Sequence, residues 1–381
     1  MLSFLAFILI LSFLILIHEF GHFITAKKMG IAVEEFGLGI PPRIFGKKIG
    51  NTIYSINALP FGGFVRLKGE DSLEVSESEL HDHENFVSKT PKQRILVILA
   101  GVFMNMLLGA VLFYISLGFS DFKTAYLPLM SDYNFKFGSV NRVQTTIFGF
   151  DKDSPLSDEA LGVNLGQAIV NIDSIPVFSL EDVRTAVKGK EDQSISVTIK
   201  NLRSDDAEKT VQVAPYIPEA GDSAKLGVYL GTSAQINYAT LPQKAFSGFL
   251  HSYNILSYSV STLGELIGFS IEEKSVEPLV ETVSGPIGIY SVVDSIVDSH
   301  DSRILLNLID LMGLISVSLA FLNIMPLPAL DGGRAFFILI EGVRGKRFKP
   351  GFEANFHKIG ILALMSLLVV ISIRDITRLF H

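Results

Sequence analysis

Residues Leu14–Lys28 read LILIHEFGHFITAKK. They close an apolar run that begins at Leu2, and His18, Glu19 and His22 arrive before that run has ended. An ionisable side chain in a lipid-crossing helix costs several kcal/mol unless it faces a polar cavity or another such group, so three within one turn need a shared purpose. On a helix, His18 and His22 stand four residues apart and share a face. The spacing H-E-x-x-H lets two imidazoles take two corners of a zinc tetrahedron, with Glu19 beside them as a base for water. A polar cluster at the cytoplasmic end of the helix, its long side chains reaching the interface, is the competing reading at this point.

Composition supports a membrane setting. The chain has 381 residues, 48% hydrophobic and 19% charged, and its mean hydropathy is +0.41, more apolar than a soluble enzyme of this length. Stretches long enough to cross a hydrocarbon core of about 30 Å lie at roughly Leu2–Thr25, Ile95–Phe119, Leu305–Met325 and Ile359–Ile373. Residues 246–269 (FSGFLHSYNILSYSVSTLGELIGF) mix polar groups at helical spacing and suit an amphipathic helix on the membrane surface. The N-terminal run lacks a basic leader and an A-x-A-like cleavage site, so it is expected to stay as the first span.

Ten Lys and Arg fall between Lys27 and Arg94 and five between Arg334 and Lys349, which places both segments on the cytoplasmic side. Residues from about Ser120 to Arg303 and both termini then face outward. A net charge of −7 and a pI near 5.7 argue against nucleic acid, and the basic clusters read as topology signals and contacts to anionic membrane lipids. The absence of Cys excludes disulfides and thiolate chemistry.

A catalytic zinc needs a third protein ligand and an open fourth position. The candidate lies in residues 320–342, AFLNIMPLPALDGGRAFFILIEG, where a span breaks at Pro326 and Pro328 and Asp331 follows. Proline removes backbone donors and interrupts the helix, so the break must line protein or a wet cavity. The competing role for Asp331 is N-cap of a helix beginning near Arg334, with Gly332 and Gly333 permitting a tight turn. By the topology above, the HEFGH and LDGG ends of their spans approach the same membrane face and can meet.

HEFGH in the first span together with NIMPLPALDGG late in the chain resembles the site-2 protease family (peptidase M50) of intramembrane zinc metalloproteases, and the single outward domain resembles its bacterial sigma-E-regulator branch. The resemblance implies Zn2+ held by His18, His22 and Asp331, with Glu19 as catalytic base. It also implies substrate contacts at Asn323, Pro326 and Pro328. Residues 56–70, INALPFGGFVRLKGE, are similar to the family's membrane-associated β-hairpin, where Gly62 and Gly63 leave room for a substrate strand to add. AGVFMNMLLG at 100–109 resembles the family's G-P-x-x-N motif with Val102 in place of Pro; Asn105 is read as structural, as are Gly332 and Gly333.

Residues 151–201 alternate short strand-like runs with one helix-like run, SLEDVRTAV, capped at Ser179, and are similar to a circularly permuted PDZ domain with Gln167 where many relatives have Asp. The acidic stretch 72–84, SLEVSESELHDHE, reads as a solvated loop with His81 and His83 exposed. The expected organisation is a polytopic α-helical membrane protein with about four TM helices, a membrane-associated β-hairpin region and one extracytoplasmic PDZ-like α+β domain. Its divisions are 1–26, 27–94, 95–119, 120–230 (PDZ-like), 231–302 (amphipathic), 303–334, 335–358 (cytoplasmic loop) and 359–381.

The expected function is hydrolysis of peptide bonds in or near transmembrane segments, such as those of anti-sigma factors or signal-peptide remnants, in the bacterial inner membrane. Its partners would be single-pass membrane proteins trimmed beforehand by another protease, with peptide binding by the PDZ-like domain a further expectation. Two rivals are a catalytically inactive PDZ-containing membrane adaptor, which would tolerate loss of Glu19 or a ligand, and a carrier, which would show matched halves. All the motif residues are present and no repeat is seen.

Overall fold

The structure is a computed structural model that describes all residues except 71–80, 192, 203–207, 218–223, 276–284, 300–302, 347, 349 and 380–381. Most of the acidic loop and part of the basic segment after Arg344 therefore lie outside the described residues. The chain divides into two units, residues 1–116 with 248–381 and residues 117–247.

In the first unit, α1 (Leu2–Lys28) is unbroken, as a Leu- and Ile-rich run without proline should be. It ends where Gly30 turns left-handed at φ +67°. The Gly30 and Ile31 N–H groups close onto the carbonyls of Lys27 at 3.1 Å and Ala26 at 2.9 Å, a Schellman stop that satisfies the last orphan carbonyls. Lys27 and Lys28 sit at the negative end of the helix dipole.

Strands β1 (Val33–Ile49) and β2 (Thr52–Leu67) follow. Each bends on itself, so that four segments lie side by side in the order 43–49, 52–59, 33–40 and 63–67. Among the described residues no further strand pairs with the outer side of 63–67. A polar knot sits inside this sheet: Glu35, 3% exposed, accepts from Ser55 Oγ at 2.7 Å and from Arg43 at 3.0 and 2.5 Å. Burial pushes the Glu35 carboxyl up, but the Ser55 hydroxyl and the Arg43 guanidinium outweigh it and hold the group below the usual carboxylate range.

Three helices of this unit carry the remaining spans: α2 (Pro91–Phe119), α7 (Ile304–Ile324) and α9 (Pro350–Leu379). With α1 they make four helices long and apolar enough to cross a membrane, and large side chains such as Leu9, Phe103, Leu305 and Leu362 are exposed on them, as a lipid-facing surface requires. Helix–helix contact comes from small residues. A Cβ on Gly21 would lie 2.4 Å from the Ala100 carbonyl oxygen and one on Gly109 would lie 2.5 Å from Val317 Cγ2. α2 therefore touches α1 on one side and α7 on the other at near-backbone distance.

Residues 247–272 form one helix, α5 (Ser247–Glu272), in line with the helix expected over 246–269. A shorter helix, α6 (Pro286–Asp298), packs on α1 and α7 through Val293. Asp375 Oδ2 of α9 accepts from the Gly285 and Gly288 N–H groups at 2.9 and 3.1 Å, which caps the start of α6. The stretch after the third span holds a helix, α8 (Asp331–Arg344), which starts three residues before the helix weighed near Arg334 and runs into the segment expected as a cytoplasmic loop from 335. Asp331 lies inside its first turn and Leu330 is the N-cap with no side-chain cap bond, so the capping role for Asp331 is not observed.

The second unit is a seven-stranded sheet in the order β3-β9-β4-β5-β7-β8, with β6 beside β5. These strands are β3 (Leu127–Leu129), β4 (Ser139–Phe150), β5 (Gln167–Ile172), β6 (Ile175–Pro176), β7 (Ile195–Asn201), β8 (Lys209–Val213) and β9 (Val228–Asn237). The sheet runs on through β9, past residue 230, and is followed by a short helix, α4 (Leu241–Ala245). Ile147, Ile169, Ile172, Val197 and Val211 form its core with Val183 and Val187. The last two belong to α3 (Leu180–Val187), whose N-cap is Ser179, reciprocated by Asp182 in a capping box.

Because its folded pKa is depressed, Glu35 contributes stability that is present above the unfolded value of about 4.3 and is lost as pH falls through the folded value. Glu35→Gln should therefore melt a few degrees below wild type at pH 7 in detergent, and the gap should close below about pH 4. The measurement is a thermal scan of both proteins at pH 7, 5 and 3.5; a gap that does not change with pH would show that the charge at Glu35 is irrelevant.

Candidate metal centre

His18 and His22 project from the same face of α1, and Asp331 comes from the first turn of α8. Their donor atoms form a triangle. His18 Nε2 and His22 Nε2 are 3.2 Å apart, and Asp331 Oδ2 lies 2.9 Å from the first and 3.3 Å from the second. The three are the group of side chains able to share a metal among the described residues.

The protons explain why a cation fits. His22 Nδ1 lies 2.9 Å from the Val97 carbonyl oxygen, an acceptor, so the ring proton belongs on Nδ1 and Nε2 presents a lone pair. Asn105 lies against the other ring, its side-chain nitrogen 3.4 Å from His18 Nδ1 and its Oδ1 without a hydrogen-bond partner. A half-turn of that amide presents Oδ1 to a proton on His18 Nδ1, which likewise leaves Nε2 bare. Asp331 Oδ2, although close to both rings, is without a hydrogen-bond partner. With the ring protons on the two Nδ1 atoms, three lone pairs face one another inside protein, an arrangement that a cation or a proton among them makes favourable. A tetrahedron with ligand distances of about 2.0–2.1 Å has edges of about 3.3 Å, close to the observed triangle.

Two features of the backbone make the triangle. Gly332 and Gly333 let the chain fold back on the end of α7: a Cβ on Gly332 would lie 2.3 Å from the carbonyl oxygens of both Ile324 and Met325, and one on Gly333 would lie 2.2 Å from that of Leu327. Two ion pairs then hold α8 in place, the largely buried Arg94 of α2 to Glu341 at 2.6 Å and the half-exposed Arg334 to Glu70.

Glu19 points away from the triangle's backbone toward the sheet, and its Oε2 accepts the Val65 N–H at 3.1 Å. The strand 63–67 reaches α1 because Gly62 and Gly63 carry no side chain: Cβ atoms there would lie 3.1 Å from Ile15 Cδ1 and 3.0 Å from the Gly37 carbonyl oxygen. Gly62 also sits at φ +74°, open to glycine at little strain. Asn323 is half-buried in the last turn of α7, and Pro326 and Pro328 flank the turn; none of the three adds a donor to the metal group. His81 and His83 are exposed and stand outside that group.

Sequence reasoning missed Gly101. A Cβ there would lie 2.5 Å from His22 Nε2 and 2.7 Å from His18 Nε2, so the bare backbone of α2 leaves the space in which the donors meet. The residue is the glycine of the G-P-x-x-N-like stretch, but only Val102 and Asn105 are weighed there. The Val97 carbonyl has no sequence signature at all. Gly101→Ala should lower zinc retention about tenfold or more, since a methyl group displaces both rings, while helix content is unchanged. Elemental analysis and circular dichroism of the purified variant check this; full zinc occupancy would show that the space is dispensable.

With this geometry in place, comparison with known proteins is direct. The model of the family described as Peptidase family M50 matches residues 6–367. A Clostridium perfringens protein named "Putative zinc metalloprotease" is 32% identical over 372 residues, 97% of each chain. Zinc metalloprotease RasP of Oceanobacillus iheyensis is 27% identical over 98% of this chain and 99% of its own length. Regulator of sigma-W protease RasP of Bacillus subtilis is 26% identical over 98% of each chain. Multi-pass helices, a donor triangle that fits a tetrahedral cation and a match across nearly the whole length lead to one conclusion: the chain belongs to peptidase family M50 and is a zinc metalloprotease.

Proposed function

We propose that His18, His22 and Asp331 hold the zinc, that Glu19 is the catalytic base, and that the enzyme cuts peptide bonds in or near transmembrane segments of membrane proteins. What carries the reading is the meeting of three donors within 3.3 Å, two on the membrane helix α1 and one on the first turn of α8, beside a carboxylate. Bound there, zinc supplies Lewis acidity, polarising the scissile carbonyl and making water nucleophilic near neutral pH. Glu19 takes a proton from the attacking water and passes it to the amide nitrogen that leaves as the carbon–nitrogen bond breaks. Asn105 and the Val97 carbonyl hold the two rings in the tautomer that leaves Nε2 free.

A transmembrane helix keeps its carbonyls hydrogen-bonded to itself, so it must open before it can be cut, and its freed backbone needs partners. The unpaired side of strand 63–67 supplies them by strand addition, with the Val65 N–H next to Glu19. Asn323, Pro326 and Pro328 would border the opened segment on the α7 side.

The second unit resembles a permuted PDZ domain in sequence, and its sheet with the Ser179-capped helix packed on it is compatible with that. Inserted in the chain between the second and third spans, on the outward side of the bacterial inner membrane, it would bar substrates that still carry a folded outside domain. The site would then face the cytoplasm, and the substrates would be single-pass proteins already trimmed by another protease. The B. subtilis relative named for sigma-W regulation supports anti-sigma-type proteins among them.

Purified Glu19→Gln should keep its zinc and lose cleavage of a transmembrane test substrate by about 10²–10⁴-fold, whereas His18→Ala and Asp331→Ala should lose the metal. Full activity in the glutamine variant would remove Glu19 from the mechanism. Deleting the β unit should allow an untrimmed substrate to be cut; if such substrates stay intact, the exclusion role is wrong.

A further inference from the structure

The turn that delivers Asp331 is not self-supporting. Between α7 and α8, Ala329 lies at φ +73°, a left-handed conformation that residues with a Cβ avoid. Its N–H finds an acceptor 28 residues later in sequence: His357 Nδ1 on α9, at 3.0 Å. Three residues further along the same face, Gly360 lies directly against the turn, where a Cβ would be 2.2 Å from Pro328 Cβ and 2.9 Å from the Pro328 carbonyl carbon. The ring also borders the glycine pair, since a Cβ on Gly333 would lie 3.5 Å from His357 Cε1. Much of α9 beyond this point exposes apolar side chains such as Ile361, Leu362 and Met365. The hydrogen bond from His357 to the metal turn falls on the residue of that turn whose backbone is least at ease. The bond is part-buried, so the acceptor satisfies an N–H that the turn itself leaves without a backbone partner in regular structure.

We propose that His357 is a positioning residue for the zinc site: its Nδ1 accepts the Ala329 N–H, holds the left-handed turn closed, and so aims the Asp331 carboxylate at the two imidazoles. The inference rests on Asp331 being a zinc ligand, as put forward above. The bond requires a bare Nδ1 and so places the ring proton on Nε2. It gives the last span a task beyond crossing the membrane.

The experiment uses the full chain in detergent and reads two quantities, zinc affinity by chelator competition and hydrogen exchange at the Ala329 amide in metal-free protein. His357→Leu should weaken zinc binding by about 10- to 100-fold, the range for loss of an outer-shell partner, and speed exchange at Ala329. His357→Asn places an acceptor oxygen where Nδ1 stood and should stay within about threefold of wild type. Glycine adopts the left-handed turn freely, so in an Ala329→Gly background the His357→Leu loss should shrink to about threefold or less. Unchanged affinity and exchange in His357→Leu, or an asparagine variant as weak as the leucine one, would overturn the proposal. Asp331→Ala measured alongside separates the two readings: retained zinc there removes the ligand assignment, whereas the metal-free exchange result judges His357 alone.

Discussion

Two imidazole nitrogens and one carboxylate oxygen, packed within 3.3 Å of each other, set the terms for the rest of this molecule. With the ring protons on the two Nδ1 atoms, their unshared electron pairs repel at that separation, and a cation or a proton among them makes the arrangement favourable. Everything that holds the triangle must therefore work against that repulsion while the site is being assembled. The fold does so with rigid parts. A carbonyl on α2 fixes one ring, an amide about two turns further on addresses the other, and glycine backbone between them leaves the cavity.

α2 is the hinge of this construction in a spatial sense. It meets α1 at Gly21 and α7 at Gly109 with little but backbone between the helices. Lipid supplies no hydrophobic drive for helix association, so close van der Waals contact and buried polar bonds must do the work. The Arg94–Glu341 pair is one such bond, joining α2 to the helix that carries Asp331. An ion pair this buried is a weak source of stability but a strong source of registry, because either charge left alone would be costly. It suits a site whose ligands come from opposite ends of the chain.

Backbone hydrogen bonding is the second recurring theme. Where regular structure is broken, a specific side chain takes over. Glu19 accepts from the open side of strand 63–67, His357 from the left-handed turn, and Asp375 from the start of α6. In each case the protein itself supplies the partner that regular structure no longer gives. The first of these bonds joins Glu19, the proposed base, to the strand edge proposed for the substrate, so in that proposal the opening of a helix and its hydrolysis would share one hydrogen bond.

Much of this was legible in the residues themselves. Unbroken apolar runs marked the four spans, because hydrocarbon thickness sets helix length, and all four helices are found there. The i,i+4 histidines and the Asp after Pro-x-Pro were legible as donors, because a helix period places side chains on a face whatever surrounds it. The Ser179 cap and its helix were equally local. What local pattern does not carry is contact between distant backbones. Gly101 as the floor of the metal space, the Val97 carbonyl as tautomer lock, the helix in place of a loop at 335–344 and the reach of His357 to Ala329 each depend on which segments pack together. Sequence by itself determined the donor set and the membrane-crossing pattern, since both follow from side-chain chemistry and helical period. Only tertiary structure decided how three lone pairs converge, since that distance is set by glycine contacts and buried bonds between parts of the chain far apart in sequence.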